Sequence, residues 1–209
     1  MLTVHHLNNS RSQRILWLLE ELGLDYGLKT YQRNLETNLA PPELEAVHPL
    51  GKSPVLTDGD NTIIESGAII DYLLRVHGDG RFYPKPGTTA HEQYLQWLHY
   101  VEGSAMLPLM LRMYTARLPD GGEALQPRIN DELNRHLGYV DGALEGVDWL
   151  VDGDFSGADV QLSFVAEIAP LLHSLEPFPN LAAFRNRCHA RPAYQRALET
   201  GGEYAFGPG

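Results

Sequence analysis

The chain has 209 residues, 43% of them apolar, with 16 basic and 27 acidic side chains and a net charge of -11. That length suits one large domain or two small ones, and the acidic balance, with no basic stripe, excludes nucleic acid as an expected partner. One cysteine, Cys188, rules out an internal disulfide framework and fits a reducing compartment; with no signal-peptide pattern and no apolar run near the ~18 residues of a membrane span, the expected location is the cytoplasm.

Taken in chain order, residues 2–7 (LTVHHL) read as a short strand. Residues 11–22 place Ile15, Leu16, Leu18, Leu19 and Leu22 at helical spacing, and Gly23 stops that helix. A second strand follows at 26–31, and Pro41 with Pro42 opens a short helix. Two apolar runs near 54–57 and 62–64 flank the turn-rich segment 57–62 (TDGDNT), which signals a hairpin. A helix then runs from about 65 to 77. The order is β-α-β-α-β-β-α, an α+β unit over 1–80. The Gly- and Pro-rich segment 78–87 reads as a linker. From 88 to 209 the pattern is all helical. Thr89 with Glu92 predicts a capping box on a long helix to about Arg117, and a second long helix spans about 127–145. Ser156 with Asp159 caps a third, whose buried face is Val160, Leu162, Phe164, Val165 and Ile168, and shorter helices lie near 180–188 and 191–200.

Two neighbouring segments carry most of the chemistry. Residues 51–56 (GKSPVL) form a proline-centred loop, and Glu65 with Ser66 begins a helix eleven residues on. Free N–H groups and the dipole at a helix start attract a carboxylate. Glu65 and Ser66 also suit a plain helix cap. A third segment, 8–12 (NNSRS), follows the first strand, with Ser10 and Gln13 spaced as a capping box.

These segments, together with 155–159 (FSGAD), resemble in order and spacing the soluble glutathione transferases, over the whole chain. The resemblance implies a thioredoxin-like N-terminal domain followed by an all-α domain. It also implies activation of bound glutathione to a thiolate that attacks small electrophiles, glutathione being a cosubstrate and no metal or organic cofactor being needed. Ser66 would take the α-carboxylate of the γ-glutamyl group and Glu65 its amino group. Ser53 and Pro54, with the proline cis, would present a backbone edge to the cysteinyl unit, and Lys52 would meet a carboxylate. A free thiol has a pKa near 8.5, so only about 3% is thiolate at pH 7. The group that lowers it is Ser10, Asn9 or backbone amides alone; the segment is most similar to bacterial and fungal relatives with Ser or Asn there. Met106, Met110 and Tyr114 would wall the electrophile pocket, although such a stripe also suits a core. A homodimer is implied by the family, with Glu102 a candidate to reach across it. Two alternatives keep the same fold: glutathione-dependent disulfide or peroxide reduction, and a non-catalytic assembly module. No histidine spacing suggests a metal site, and Cys188 reads as a buried, inert thiol.

Overall fold

The computed structural model describes residues 1–208. It divides into two compact units, Met1–Tyr83 joined by the segment from His189 onward, and Pro84–Cys188.

The first unit is built on a four-stranded mixed sheet of order β2-β1-β3-β4: β1 (Leu2–Leu7), β2 (Gly27–Tyr31), β3 (Val55–Asp58) and β4 (Asn61–Ile64). β1 and β2 run parallel, joined by α1 (Ser12–Leu22), and β1/β3 and β3/β4 are antiparallel. The β3–β4 turn needs Gly59 at φ 57, a left-handed conformation that glycine takes without a Cβ clash. Short helix α2 (Pro42–Glu45) precedes β3, and α3 (Ser66–His77) follows β4. The expected α+β order is therefore present, with boundaries within a residue or two.

The amphipathic pattern does not predict that α1 is covered nearly all round. Gln13 and Arg14 are 1% and 2% exposed, like the leucines beside them. The cover comes from α9 (Pro192–Gly201), which belongs to the first unit although it falls in the 88–209 segment that the sequence reads as one helical domain. Tyr194 meets Trp17 edge-on at 5.5 Å, Arg191 Nη2 donates to Glu21 Oε2 at 2.9 Å, and Arg196 Nε donates to Glu20 Oε2 at 3.0 Å. The approach is so close that a Cβ on Gly201 would stand 2.6 Å from Gln13 Oε1.

The second unit holds α4 (Thr89–Tyr100), α5 (Met106–Thr115), α6 (Gln126–Ala143), α7 (Gly157–Leu172) and most of α8 (Pro179–Ala190). The expected long helix from Thr89 is interrupted by a π turn, Val101–Ala105, between α4 and α5. It lies just before Pro108, which has no N–H to donate and would press on the carbonyl four residues back. The cap of α4 is Thr88 rather than Thr89: its Oγ1 accepts from the His91 N–H at 3.3 Å, so the predicted Thr89–Glu92 box does not form. At α7 the predicted box is present, with both Ser156 and Asp159 engaged, and Val160, Leu162, Phe164, Val165 and Ile168 are all buried. Among the described residues no helix is long and apolar enough to cross a membrane.

Candidate active site

The strand registers gather three of the singled-out segments at one end of the sheet. β1 pairs with β3 as His5↔Val55, so the same register carries Leu7 opposite Ser53. β3 pairs with β4 as Val55↔Ile64, which brings Glu65 beside Pro54. The loop after Leu7, the Ser53-Pro54 loop and the start of α3 are thereby neighbours, although 46 residues separate the first two.

The Ser53-Pro54 bond is cis. The Ser53 side chain continues the ladder beyond the last backbone pair: its Oγ donates to the His5 carbonyl at 2.8 Å and accepts from the Leu7 N–H at 3.2 Å. The backbone N–H and C=O of Ser53 have no hydrogen-bond partner among the described residues. A serine side chain therefore fastens this loop to β1, while its main chain stays open to pair with an extended peptide. Lys52 beside it is exposed.

Helix α3 begins at Ser66 with Glu65 as its N-cap, and no side chain caps it. Ser66 is 4% exposed. Glu65 holds φ 66 and ψ 121. A non-glycine residue there costs roughly 1–3 kcal/mol, and such strain gathers at functional sites. Sequence reading does not find it, since nothing in a glutamate announces positive φ. Glu65→Gly is expected to raise stability by about 1 kcal/mol by relieving this strain. Thermal melts of the variant and the wild type test this; a less stable variant contradicts it.

The loop after β1 differs from the predicted cap. α1 starts at Ser12 with Arg11 as N-cap and no side-chain cap bond. Gln13, expected as reciprocal partner of Ser10, is buried under Gly201, and its amide has no partner among the described residues. Ser10 is 5% exposed and turned inward. Its Oγ lies 2.8 Å from the Leu7 carbonyl and 2.8 Å from Ser12 Oγ, and it accepts from the Ser12 N–H at 3.2 Å. Ser12 Oγ in turn lies 2.8 Å from His6 Nδ1. The other side of this imidazole bonds the Gly201 backbone, and burial holds its pKa below the ordinary histidine value. A neutral ring that donates to the Gly201 carbonyl leaves Nδ1 as acceptor. Ser12 then gives its proton to His6, and Ser10 gives its own to Leu7 or Ser12. The whole chain of hydroxyls is consumed internally.

Asn9 stands differently. It is half-exposed with φ 50, a left-handed conformation that asparagine tolerates. Its carbonyl accepts from Arg33 Nη2 at 3.2 Å, and its side-chain Oδ1 accepts from the Ala205 N–H at 2.7 Å. The Nδ2 donor has no partner among the described residues. Arg33, which sequence reading does not single out, clamps this loop further by donating from Nε to the Asn8 carbonyl at 3.2 Å and from its N–H to Asn8 Oδ1 at 2.9 Å. Burial and the charge of Arg11 hold the Arg33 pKa below its ordinary value. Positive charge beside a loop favours an anion such as a thiolate there.

In the second unit, Met106 is 2% exposed and belongs to the core. Met110 is half-buried and Tyr114 is 54% exposed, on a face shared with Leu107 and Leu111 at 56% and 38%. The predicted stripe thus splits, because positions 106 and 110 sit a little over one turn apart on a face that curves out of the core. Glu102 lies in the π turn. Cys188 is 1% exposed.

A thioredoxin-like sheet with an open backbone edge and an unpartnered helix start, followed by a helical unit, defines a class, and comparison with known proteins bears on which. Residues 1–75 match the family model described as "Glutathione S-transferase, N-terminal domain", and residues 101–192 match "Glutathione S-transferase, C-terminal domain". The chain is 32% identical to Glutathione S-transferase 3 of Schizosaccharomyces pombe, over 95% of this chain and 87% of that protein. It is also 32% identical to Glutathione S-transferase 1 of Saccharomyces cerevisiae, over 81% of each. A crystal structure of a glutathione S-transferase from Actinobacillus pleuropneumoniae superposes with a TM-score of 0.89 at 36% identity, covering 99% of this chain and 95% of that one. The chain belongs to the glutathione S-transferase family, and its general activity is glutathione transfer.

Proposed function

We propose that this enzyme binds glutathione along the end of the sheet where the three segments meet and presents it as a thiolate to an electrophilic carbon. The free first-turn amides of α3 and the Ser66 hydroxyl take the α-carboxylate of the γ-glutamyl group. Glu65 faces the adjacent ammonium, the main chain of Ser53 pairs with the cysteinyl unit, and Lys52 meets a carboxylate. The observation that carries this reading is the start of α3: a largely buried serine opening a helix that no side chain caps, beside a strained glutamate.

Asn9 is the activating group in this reading. Its Nδ2 donates to the sulfur, helped by the amides at the start of α1 and the positive charge of Arg11 and Arg33. A hydrogen bond to an anionic sulfur lowers the thiol pKa. Ser10, whose proton is spent within the loop, supports the loop rather than the thiolate. The protein works in the cytoplasm as a homodimer; a monomer mass by light scattering would remove the dimer.

Ser66→Ala is expected to weaken glutathione binding by about 1–2 kcal/mol, the loss of one hydrogen bond to a charged group. Isothermal titration reads this directly, and an unchanged dissociation constant rejects the site. Turnover of chlorodinitrobenzene against hydroxyethyl disulfide separates carbon transfer from disulfide reduction at the same thiolate. If only the disulfide reacts, the thiolate stands but the acceptor class is wrong.

A further inference from the structure

The Asn9–Ala205 bond joins residues 196 positions apart and is not explained by packing alone. An asparagine amide can present either its oxygen or its nitrogen with almost the same shape. Only the nitrogen can donate to a thiolate; the oxygen would set a negative dipole against it. The main-chain N–H of Ala205 is unambiguously a donor. By holding Oδ1 at 2.7 Å it selects one of the two orientations and leaves Nδ2 as the end available to a ligand.

Ala205 is itself held in place. Gly202 ends α9 with φ 79, and the chain turns back so that the Gly207 N–H donates to the Tyr204 carbonyl at 3.3 Å. Tyr204 and Phe206 meet edge-on at 5.3 Å, and Gly207 packs near Leu198 of α9. α9 is in turn fixed to α1 by the Arg191–Glu21 and Arg196–Glu20 pairs. From the other side, Arg33 holds the Asn9 carbonyl. Backbone and side chain of Asn9 are thus oriented by two separate elements.

We propose that the turn after α9 is a positioning element for the reaction, its Ala205 N–H fixing the Asn9 amide so that the nitrogen faces the glutathione sulfur. This rests on Asn9 being the activator, and the test keeps the two apart. Ala205→Pro removes the N–H at an exposed site, Ala205→Gly keeps it, and Asn9→Gly removes the amide without straining the left-handed backbone. Each is titrated with bound glutathione by following thiolate absorbance near ~240 nm against pH.

In Ala205→Pro the bound thiol pKa is expected to rise by about one unit, so about tenfold less thiolate forms at a given pH below it. The glutathione dissociation constant should stay within about twofold of wild type. Ala205→Gly should titrate with wild type. If Asn9→Gly shifts the thiol while Ala205→Pro does not, the positioning role is overturned and the activator reading survives. A shift in Ala205→Gly as large as in Ala205→Pro also overturns it, because looseness of the turn would then be the cause. Should Asn9→Gly leave the thiol unmoved, both fall.

Discussion

Asp159→Ala is expected to destabilise the protein by about 3 kcal/mol, more than an ordinary helix-cap loss. An exposed cap is worth about 1 kcal/mol. Asp159 is fully buried, and its carboxyl serves three donors. Oδ1 accepts from the Leu150 N–H at 2.9 Å; Oδ2 accepts from the Ser156 N–H at 2.8 Å and the Ser156 hydroxyl at 3.1 Å. Alanine leaves two buried main-chain N–H groups without acceptors, each costing about 1–3 kcal/mol. Against this stands the cost of burying the carboxyl, which pushes its pKa up to about 7 although every donor favours the anion.

The pH dependence follows from that shift. The unfolded group has a pKa near 3.9 and the folded one is higher, so the folded state binds more protons between the two values. Stability from Asp159 is then fully present below about pH 4 and is lost as pH rises through about 7. The penalty of alanine should therefore be larger at pH 5 than at pH 8. Urea unfolding of both proteins at the two pH values reads it. A difference under about 0.5 kcal/mol, as for a surface substitution, would contradict the role. Glutathione affinity of the folded variant should be close to wild type, since no residue proposed to hold glutathione touches this network.

The second large effect separates Asn9 from Ser10. Asn9→Gly is expected to move the bound thiol pKa back toward the free value near 8.5, by about one to two units, and to lower kcat/KM at neutral pH at least about tenfold. Ser10→Ala is expected to leave the thiol titration in place. It should instead lower stability by about 1–2 kcal/mol, because the Ser12 N–H and the Leu7 carbonyl each lose the Ser10 hydroxyl as partner. Thiolate absorbance and thermal melts on the same samples resolve the pair. Reversed results, with Ser10→Ala shifting the thiol and Asn9→Gly not, would return the activating role to the serine hydroxyl.

Most of the fold is legible in the sequence because local rules govern it. The turn at Gly59, the stop at Gly23, the prolines opening α2, α8 and α9, and the Ser156–Asp159 box each act within a few residues of themselves. The candidate site is legible as segments for the same reason: a proline loop and a helix start are short-range signals. Where local reading goes astray, a neighbour is at work. The cap of α4 moves by one residue, and Pro108 turns one long helix into two with a π turn between them.

What the tertiary structure alone decides is which polar atoms remain available. Ser10 and Asn9 are adjacent, and both have side chains able to donate to sulfur; their difference lies in partners from elsewhere. The Leu7 carbonyl and Ser12 take up the Ser10 proton, while Ala205 takes the Asn9 oxygen and leaves its nitrogen. Ser53, read from sequence as a backbone contact only, also fastens its loop to β1 through its side chain. The strain at Glu65 and the burial of Gln13 under α9 likewise depend on elements distant in the chain. Hydrophobic period and turn chemistry are written in neighbouring residues. Hydrogen-bond allegiance is settled only when the chain has closed on itself, because a donor's partner is whichever acceptor the fold brings within about 3 Å.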